Sequence, residues 1–226
     1  MLIVIEGLDG SGKSTQVSNM RKYLSSRIDN LEYIHFPRYD APVYGQLIGR
    51  FLKGAFGSID TVHPNLVALL FAEDRHGAAP RIREALDNGA TVLLDRYVYS
   101  NIAYQCAKLA DPQDRSALRD WIFQTEYVDF GIPKPDLNIF LDVPIAFVED
   151  NLNSQRKGDD RGYLDGGRDI HESDMCFQRM VRRMYLEQCE KDPSFIRVDC
   201  QAEDGSVLPP DQIFMRLQKI VEDCLK

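Results

Sequence analysis

The stretch Gly7-Leu8-Asp9-Gly10-Ser11-Gly12-Lys13-Ser14 follows directly on the apolar run Leu2-Ile3-Val4-Ile5. It meets the G-x-x-x-x-G-K-[ST] spacing at every fixed position. Glycines at those places let the backbone turn tightly and aim successive N–H groups at an anion. The chain then enters a helical pattern from Gln16 to Leu24, whose amino terminus carries partial positive charge. Lys13 is spaced to reach β- and γ-phosphates, and the Ser14 hydroxyl to sit on Mg²⁺. Gly7, Leu8, Asp9, Gly10, Ser11, Gly12, Lys13, Ser14 and Thr15 are therefore the expected contacts of a bound ATP.

Outward from this loop, strand and helix patterns alternate. Leu31–Phe36 reads as a second strand stopped by Pro37, Thr91–Leu94 as a third, Asp136–Val143 as a fourth and Phe195–Asp199 as a fifth. Helices are expected over Pro42–Lys53, His63–Leu86 with an interruption at Pro80, Asn101–Leu109, Ala117–Tyr127, Ile145–Gln155, Glu172–Cys189 and Pro210–Cys224. Asn88-Gly89 has the composition of a helix C-cap. This order predicts an α/β fold, a parallel five-stranded sheet flanked by helices. In such sheets ligands gather beyond the carboxyl ends of the strands. Gly7–Ser14, Phe36–Asp40, Asp95–Tyr97 and the segment after Val143 all fall on that rim.

The 226 residues suit one domain, with 44% hydrophobic and 27% charged residues, ordinary for a globular chain. A net charge of −8 argues against nucleic-acid binding through a basic surface. No apolar run approaches the ~20 residues that cross a bilayer. The chain opens on a strand rather than a leader, so a cytoplasmic protein without a membrane partner is expected. The cysteines at 106, 176, 189, 200 and 224 contain no C-x-x-C pair, which suggests neither a disulfide framework nor a zinc site.

Asp95-Arg96-Tyr97 at the end of the third strand places a carboxylate near the metal and a guanidinium near phosphate. The planar guanidinium fork pairs bidentately with phosphate oxygens. Motor-type ATPases follow the strand aspartate with a glutamate that prepares water, whereas Arg96 follows here. No N-K-x-D guanine reader occurs; Pro133-Lys134-Pro135-Asp136 is not one. An arginine beside the phosphate loop suits a second phosphorylated molecule, and so a kinase.

Five motifs in order resemble the thymidylate kinase family of P-loop nucleoside monophosphate kinases. They are the loop Gly7–Ser14 with Asp9, Phe36-Pro37-Arg38-Tyr39, Leu70-Phe71-Ala72-Glu73-Asp74-Arg75, Asp95-Arg96-Tyr97-Val98-Tyr99-Ser100-Asn101 with Ala103-Tyr104-Gln105, and Asp169–Glu172. The resemblance implies a three-layer P-loop kinase fold over residues 1–226, with a lid at about 156–168, making dTDP from dTMP and ATP with Mg²⁺. It implies a homodimer, to which the apolar face Leu66–Leu70 would contribute unless the monomer core buries it. It implies that Phe71 stacks on thymine, Arg75 donates to a thymine carbonyl, Asn101 reads the pyrimidine edge, and Tyr104 crowds the sugar 2′ position. Ser100 is either a helper or a helix N-cap, and Gln105 either supports the base or lies exposed. Phe36, Arg38 and Tyr39 would close with Arg96 on the acceptor phosphate, Arg38 and Tyr39 competing to hold it. Asp9 would meet the sugar 3′-OH or the metal, and Asp169 the deoxyribose. The metal set is Ser14, Asp9, Asp95 and Glu172, the last equally readable as a capping acid. His171 stands where the family carries an aromatic residue. Because Gly10 and Ser11 supply no arginine from the loop, the lid arginines Arg156 and Arg161 are the expected catalytic cations, with Lys13, Asp9 and Arg96.

A dTMP phosphate oxygen is already ionised, so phosphoryl transfer needs positioning and charge neutralisation rather than a general base. Three other readings remain at this level, one of them a nucleoside monophosphate kinase for another acceptor. A deoxynucleoside kinase would use a carboxylate such as Glu6 to deprotonate a 5′-hydroxyl, and a nucleotide-binding switch would bind ATP without transferring phosphate.

Overall fold

Apolar runs at five places become five parallel strands: β1 (Leu2–Gly7), β2 (Leu31–His35), β3 (Thr91–Asp95), β4 (Leu137–Asp142) and β5 (Phe195–Asp199). The computed structural model describes residues 1–154, 169–172 and 174–225. The expected lid, with Arg156 and Arg161, lies outside the described residues. The sheet order is β2-β3-β1-β4-β5. Every residue of β1, β3 and β4 is buried, as strands covered on both faces require.

The helices are α1 (Lys13–Ser25), α2 (Tyr44–Leu52), α3 (Pro64–Asp87), α4 (Val98–Cys106), α5 (Pro112–Phe123), α6 (Ile145–Asn153), α7 (Met175–Lys191) and α8 (Pro210–Cys224). α1 packs against α8, whereas α4 packs against α3, α5 and α7. One large core joins the sheet to these helices. A second, small cluster of Ile48, Phe51, Leu52 and Val67 fastens α2 to α3.

Four local expectations change. α3 runs unbroken through Pro80. Both His76 and Pro80 are exposed, so the carbonyl that loses its donor stays near water. α4 starts at Val98, so Ser100 lies inside it and is not its N-cap. α5 starts earlier than expected, because Pro112 occupies its first turn and the Asp111 carboxylate accepts from the Gln113 N–H. It then passes into a π-helical turn, Gln124–Asp129. α7 starts at Met175 because Asp174 caps it, accepting from the amides of Cys176 and Phe177. Glu172 precedes that cap, so it is neither the capping-box nor the first-turn acid of α7.

The turn from β2 into α2 is shaped by backbone crowding. A Cβ on Gly45 would stand 2.1 Å from the Arg38 carbonyl oxygen. Val43, two residues earlier, holds φ at 65°, a region that β-branched residues avoid. The turn carrying Arg38 and Tyr39 is thus pressed onto the start of α2. Gly45→Ala is expected to destabilise the protein by about 1–3 kcal/mol, the usual cost of an overpacked contact. Denaturant unfolding checks this, and an unchanged midpoint would refute it.

Candidate active site

The phosphate loop sits between β1 and α1 with Gly10 and Gly12 both at φ 77°. L-residues avoid that conformation, which explains the glycine spacing. No side chain caps the amino terminus of α1, so its first N–H groups are left for an anion. From α6, the Asn151 amide donates to the Gly10 carbonyl at 2.7 Å and steadies the loop. Lys13 is buried and its ammonium pairs with Asp95 on the neighbouring strand end. Burial lowers the Lys13 pKa and Asp95 partly restores it; the same contact holds the Asp95 carboxyl below its ordinary range against the opposing effect of burial.

Beside the loop, Arg96 is held at φ 68° immediately after β3. Its guanidinium donates to Asp9 at 2.7 Å, to the Ser100 hydroxyl at 3.1 Å and to the Tyr104 hydroxyl at 3.4 Å. Tyr104 donates to the other Asp9 oxygen at 2.7 Å. Burial opposes the Arg96 charge, but the facing oxygens of Tyr104 and Asp9 keep its pKa well above the usual value. Glu6 braces this group from below. Fully buried on β1, it accepts from the Tyr97 amide at 2.8 Å, the Ser100 amide at 3.1 Å and hydroxyl at 2.5 Å, and the Tyr185 hydroxyl at 3.1 Å. Its lone pairs are spent on the start of α4 and on α7, and it does not line the cleft. Glu6 is a brace rather than a base.

A cleft of about 70 Å³ opens next to these residues. It is lined by Phe71 and Arg75 from α3, by Asn101, Tyr104 and Gln105 from α4, and by Tyr39 beyond β2. Phe36, Asp9, Arg96, Ser100, Asp169 and His171 complete the walls. Phe71 and Arg75 stand on one face of α3 as their spacing predicts. Gln105 is buried in the wall, not exposed on the helix. Of the competing pair, Tyr39 lines the cleft; Arg38 is engaged by Asp74 through its amide at 2.8 Å and its Nε at 2.9 Å. Ser14, Asp95 and Arg38 line an adjoining groove instead.

Three polar atoms in the cleft walls are buried without a hydrogen-bond partner among the described residues: Asn101 Oδ1, Gln105 Oε1 and His171 Nε2. Arg75 is almost completely buried, and Glu126 grips its Nε at 2.5 Å and Nη2 at 2.7 Å. Burial works against that guanidinium's charge, and Glu126 more than compensates. Sequence reading missed Glu126. The signal was present: Leu118, Ile122 and Glu126 recur at helical spacing, and all three are buried.

At the far wall, Asp169 accepts from the His171 amide at 2.7 Å, and the His171 ring lies against Tyr104, Phe177 and Phe51. Desolvation holds His171 well below its ordinary pKa, so it is neutral. No group of three or more His, Cys, Asp or Glu is arranged as a metal cage among the described residues. Magnesium needs no such cage, because it keeps waters and takes one or two carboxylates plus substrate phosphates. Ser14 and Asp95, sharing one groove, offer such a hydroxyl and carboxylate.

Comparison with known proteins gives the same direction. Residues 5–207 match the thymidylate kinase family model. The chain is 32% identical over 188 residues to thymidylate kinases of two strains of Mycobacterium tuberculosis, covering 83% of this chain and 85% of each relative. It superimposes with a TM-score of 0.71 on a solved Candida albicans thymidylate kinase, at 30% identity, covering 98% of this chain and 91% of that one. The published description of that structure assigns the Candida enzyme broad substrate specificity and a novel structural element. No helix among the described residues is long and apolar enough to cross a membrane.

Behind the cleft, the Lys108 ammonium is buried without a hydrogen-bond partner among the described residues, 5.0 Å from the Phe51 ring centre. Burial lowers its pKa to about 7, against weak attraction from Asp60 and Asp169. Between about 7 and the ordinary lysine value of 10.5 the unfolded chain holds a proton that the folded chain has shed. Stability from this group therefore rises with pH through that window. Lys108→Met is expected to raise the melting temperature at pH 7, with the gain shrinking toward pH 10. Parallel thermal melts measure it, and a pH-independent difference would refute it.

Proposed function

Because the chain belongs to the thymidylate kinase family and transfers phosphate from ATP to dTMP, we propose that Arg75 and Asn101 read the thymine edge while Arg96 holds the acceptor phosphate. The observation that carries this reading is the orphaned Asn101 Oδ1, buried in the same wall as the Arg75 guanidinium. Arg75 Nη1 has no partner among the described residues, since Glu126 takes only Nε and Nη2. One wall thus offers an acceptor beside a donor. Thymine presents the complement, an N3–H donor beside a C4 carbonyl. Cytosine presents the reverse on the same edge, so its binding would leave buried groups unpaired.

Phe71 supplies a stacking face, and Tyr104, fixed through Asp9 and Arg96, crowds the sugar 2′ position. Tyr39, Phe36 and Ser100 flank the acceptor phosphate, Arg38 positions Tyr39 through Asp74, and Gln105 supports the base. The cleft is smaller than the several hundred Å³ of typical ligand sites, so its walls part to admit nucleotide.

ATP would lie along the phosphate loop, with Lys13 exchanging Asp95 for phosphate oxygens. The acceptor phosphate oxygen forms a bond to the γ-phosphorus as the bond to the bridging oxygen of ADP breaks. Ser14 and Asp95, with Asp9 and Glu172 nearby in the family pattern, would hold Mg²⁺. When bound, that ion would supply charge neutralisation to the transferred phosphates. Arg96, already protonated and aimed by Asp9, meets the acceptor without reorganising. Arg156 and Arg161 are proposed to complete the charge neutralisation from the lid. The proposal extends to a homodimer in the cytoplasm: Leu66 on α3 is 63% exposed, while Leu70 below it is partly buried against the small cluster.

A coupled assay should show turnover of dTMP and none of thymidine, with all activity lost on chelation of divalent metal. Thymidine turnover would overturn the acceptor assignment. Phe71→Ala should lower kcat/KM for dTMP by roughly 5- to 150-fold, the worth of one base stack, and leave the KM for ATP unchanged. Equal losses for both nucleotides would remove Phe71 from the base site.

A further inference from the structure

Glu126 does not line the cleft, yet it touches both residues proposed to read the base. Its side chain is completely buried. It reaches this position from the π-helical turn Gln124–Asp129, which redirects the chain after α5 and is closed by the Phe130 amide donating to the Thr125 carbonyl at 2.8 Å. Such turns are rare and concentrate at functional places.

The hydrogen bonds of Asn101 leave one orientation for its amide. Its Nδ2 donates to the Ala68 carbonyl at 3.0 Å and to Glu126 Oε1 at 2.9 Å. Both partners are acceptors. A flipped amide would set Oδ1 against two oxygens and bury a repulsive contact. Oδ1 is consequently turned the other way, where it has no partner. Glu126 also spends its second oxygen on Arg75 Nε and shares the first with Nη2, which fixes the guanidinium plane and leaves Nη1 free.

We propose that Glu126 sets base specificity by locking Asn101 as an acceptor and Arg75 as a donor, so that the pocket takes a pyrimidine with N3–H and a C4 carbonyl and rejects one with a bare N3 and a C4 amine. This rests on the base-reading roles of Arg75 and Asn101. Glu126 is a positioning residue: it acts through the two side chains and touches no substrate.

The test compares dTMP and dCMP as acceptors for the intact enzyme and for Glu126→Gln and Glu126→Asp, with thermal melts to verify folding. A glutamine supplies one oxygen where two are required, and its amino group faces a donor whichever way it lies. Glu126→Gln should reduce the ratio of kcat/KM for dTMP over dCMP by about tenfold or more, chiefly through KM, with the KM for ATP within about twofold. Glu126→Asp, which keeps the carboxylate, should recover part of the ratio. A folded Glu126→Gln enzyme whose ratio stays within about twofold of the parent would overturn the role of Glu126 alone. A parent enzyme that uses dCMP as well as dTMP would instead overturn the base-reading itself. If the glutamine variant fails to fold, amide NMR of the parent decides. Resolved, slowly exchanging Asn101 Nδ2 protons support the lock, and averaged ones refute it.

Discussion

Everything on the rim is referred to one buried carboxylate, that of Glu6. It sits on the central strand beneath the phosphate loop and accepts from the first residues of α4 and from Tyr185 on α7. Burial raises its pKa, and the hydrogen bonds from Ser100 and Tyr97 together with the nearby Arg96 charge offset part of the cost of placing it there. The return is geometric. Arg96 immediately precedes the segment that Glu6 grips, Ser100 ends it, and Asn101, Tyr104 and Gln105 follow it, so their distance from the loop is set by β1 itself. The left-handed backbone of Arg96, costing of order 1–3 kcal/mol, persists because the surrounding bonds over-determine it.

A second regularity is that each cation of the site has its own carboxylate. Lys13 faces Asp95, Arg96 faces Asp9, Arg75 faces Glu126 and Arg38 faces Asp74. Buried ion pairs of this kind are weak contributors to stability, because desolvation offsets the attraction. They are better understood as placement. A chain with net charge −8 that binds two polyanions must keep its cations from collapsing onto arbitrary acids. The pairs split by function. Those of Lys13 and Arg96 lie beside the loop, where the proposed phosphates would sit. The pair at Arg75 is sealed within the protein, behind the proposed base site.

This division explains how one cleft combines phosphate transfer with selectivity. Phosphates are met by strong, preorganised charge that needs little discrimination. On the proposed reading, the base would meet directional atoms that have no partner among the described residues and whose orientation is enforced from behind. Discrimination of that sort works by leaving the wrong ligand's partners unsatisfied, and it is strongest where water is excluded.

The local sequence determined the phosphate loop, the five strands and most of the cleft. Gly7–Ser14 after an apolar strand, Asp95-Arg96 at a strand end, and Phe71 with Arg75 on one helix face are short-range patterns, fixed by spacing within a single element. Helix boundaries depended on caps that were overlooked, such as Asp111 with Pro112 and Asp174 ahead of Met175. What only the tertiary structure decided were the partnerships. Glu6 reads equally as a base or as a strand residue until α4 and α7 close over it. Arg38 and Tyr39 are equivalent in sequence until Asp74 captures the first. Glu126 carries no motif and gains its meaning from Arg75, 51 positions away, and Asn101, 25 away. A hydrogen bond between distant segments leaves no periodicity in either, so no local pattern could announce it.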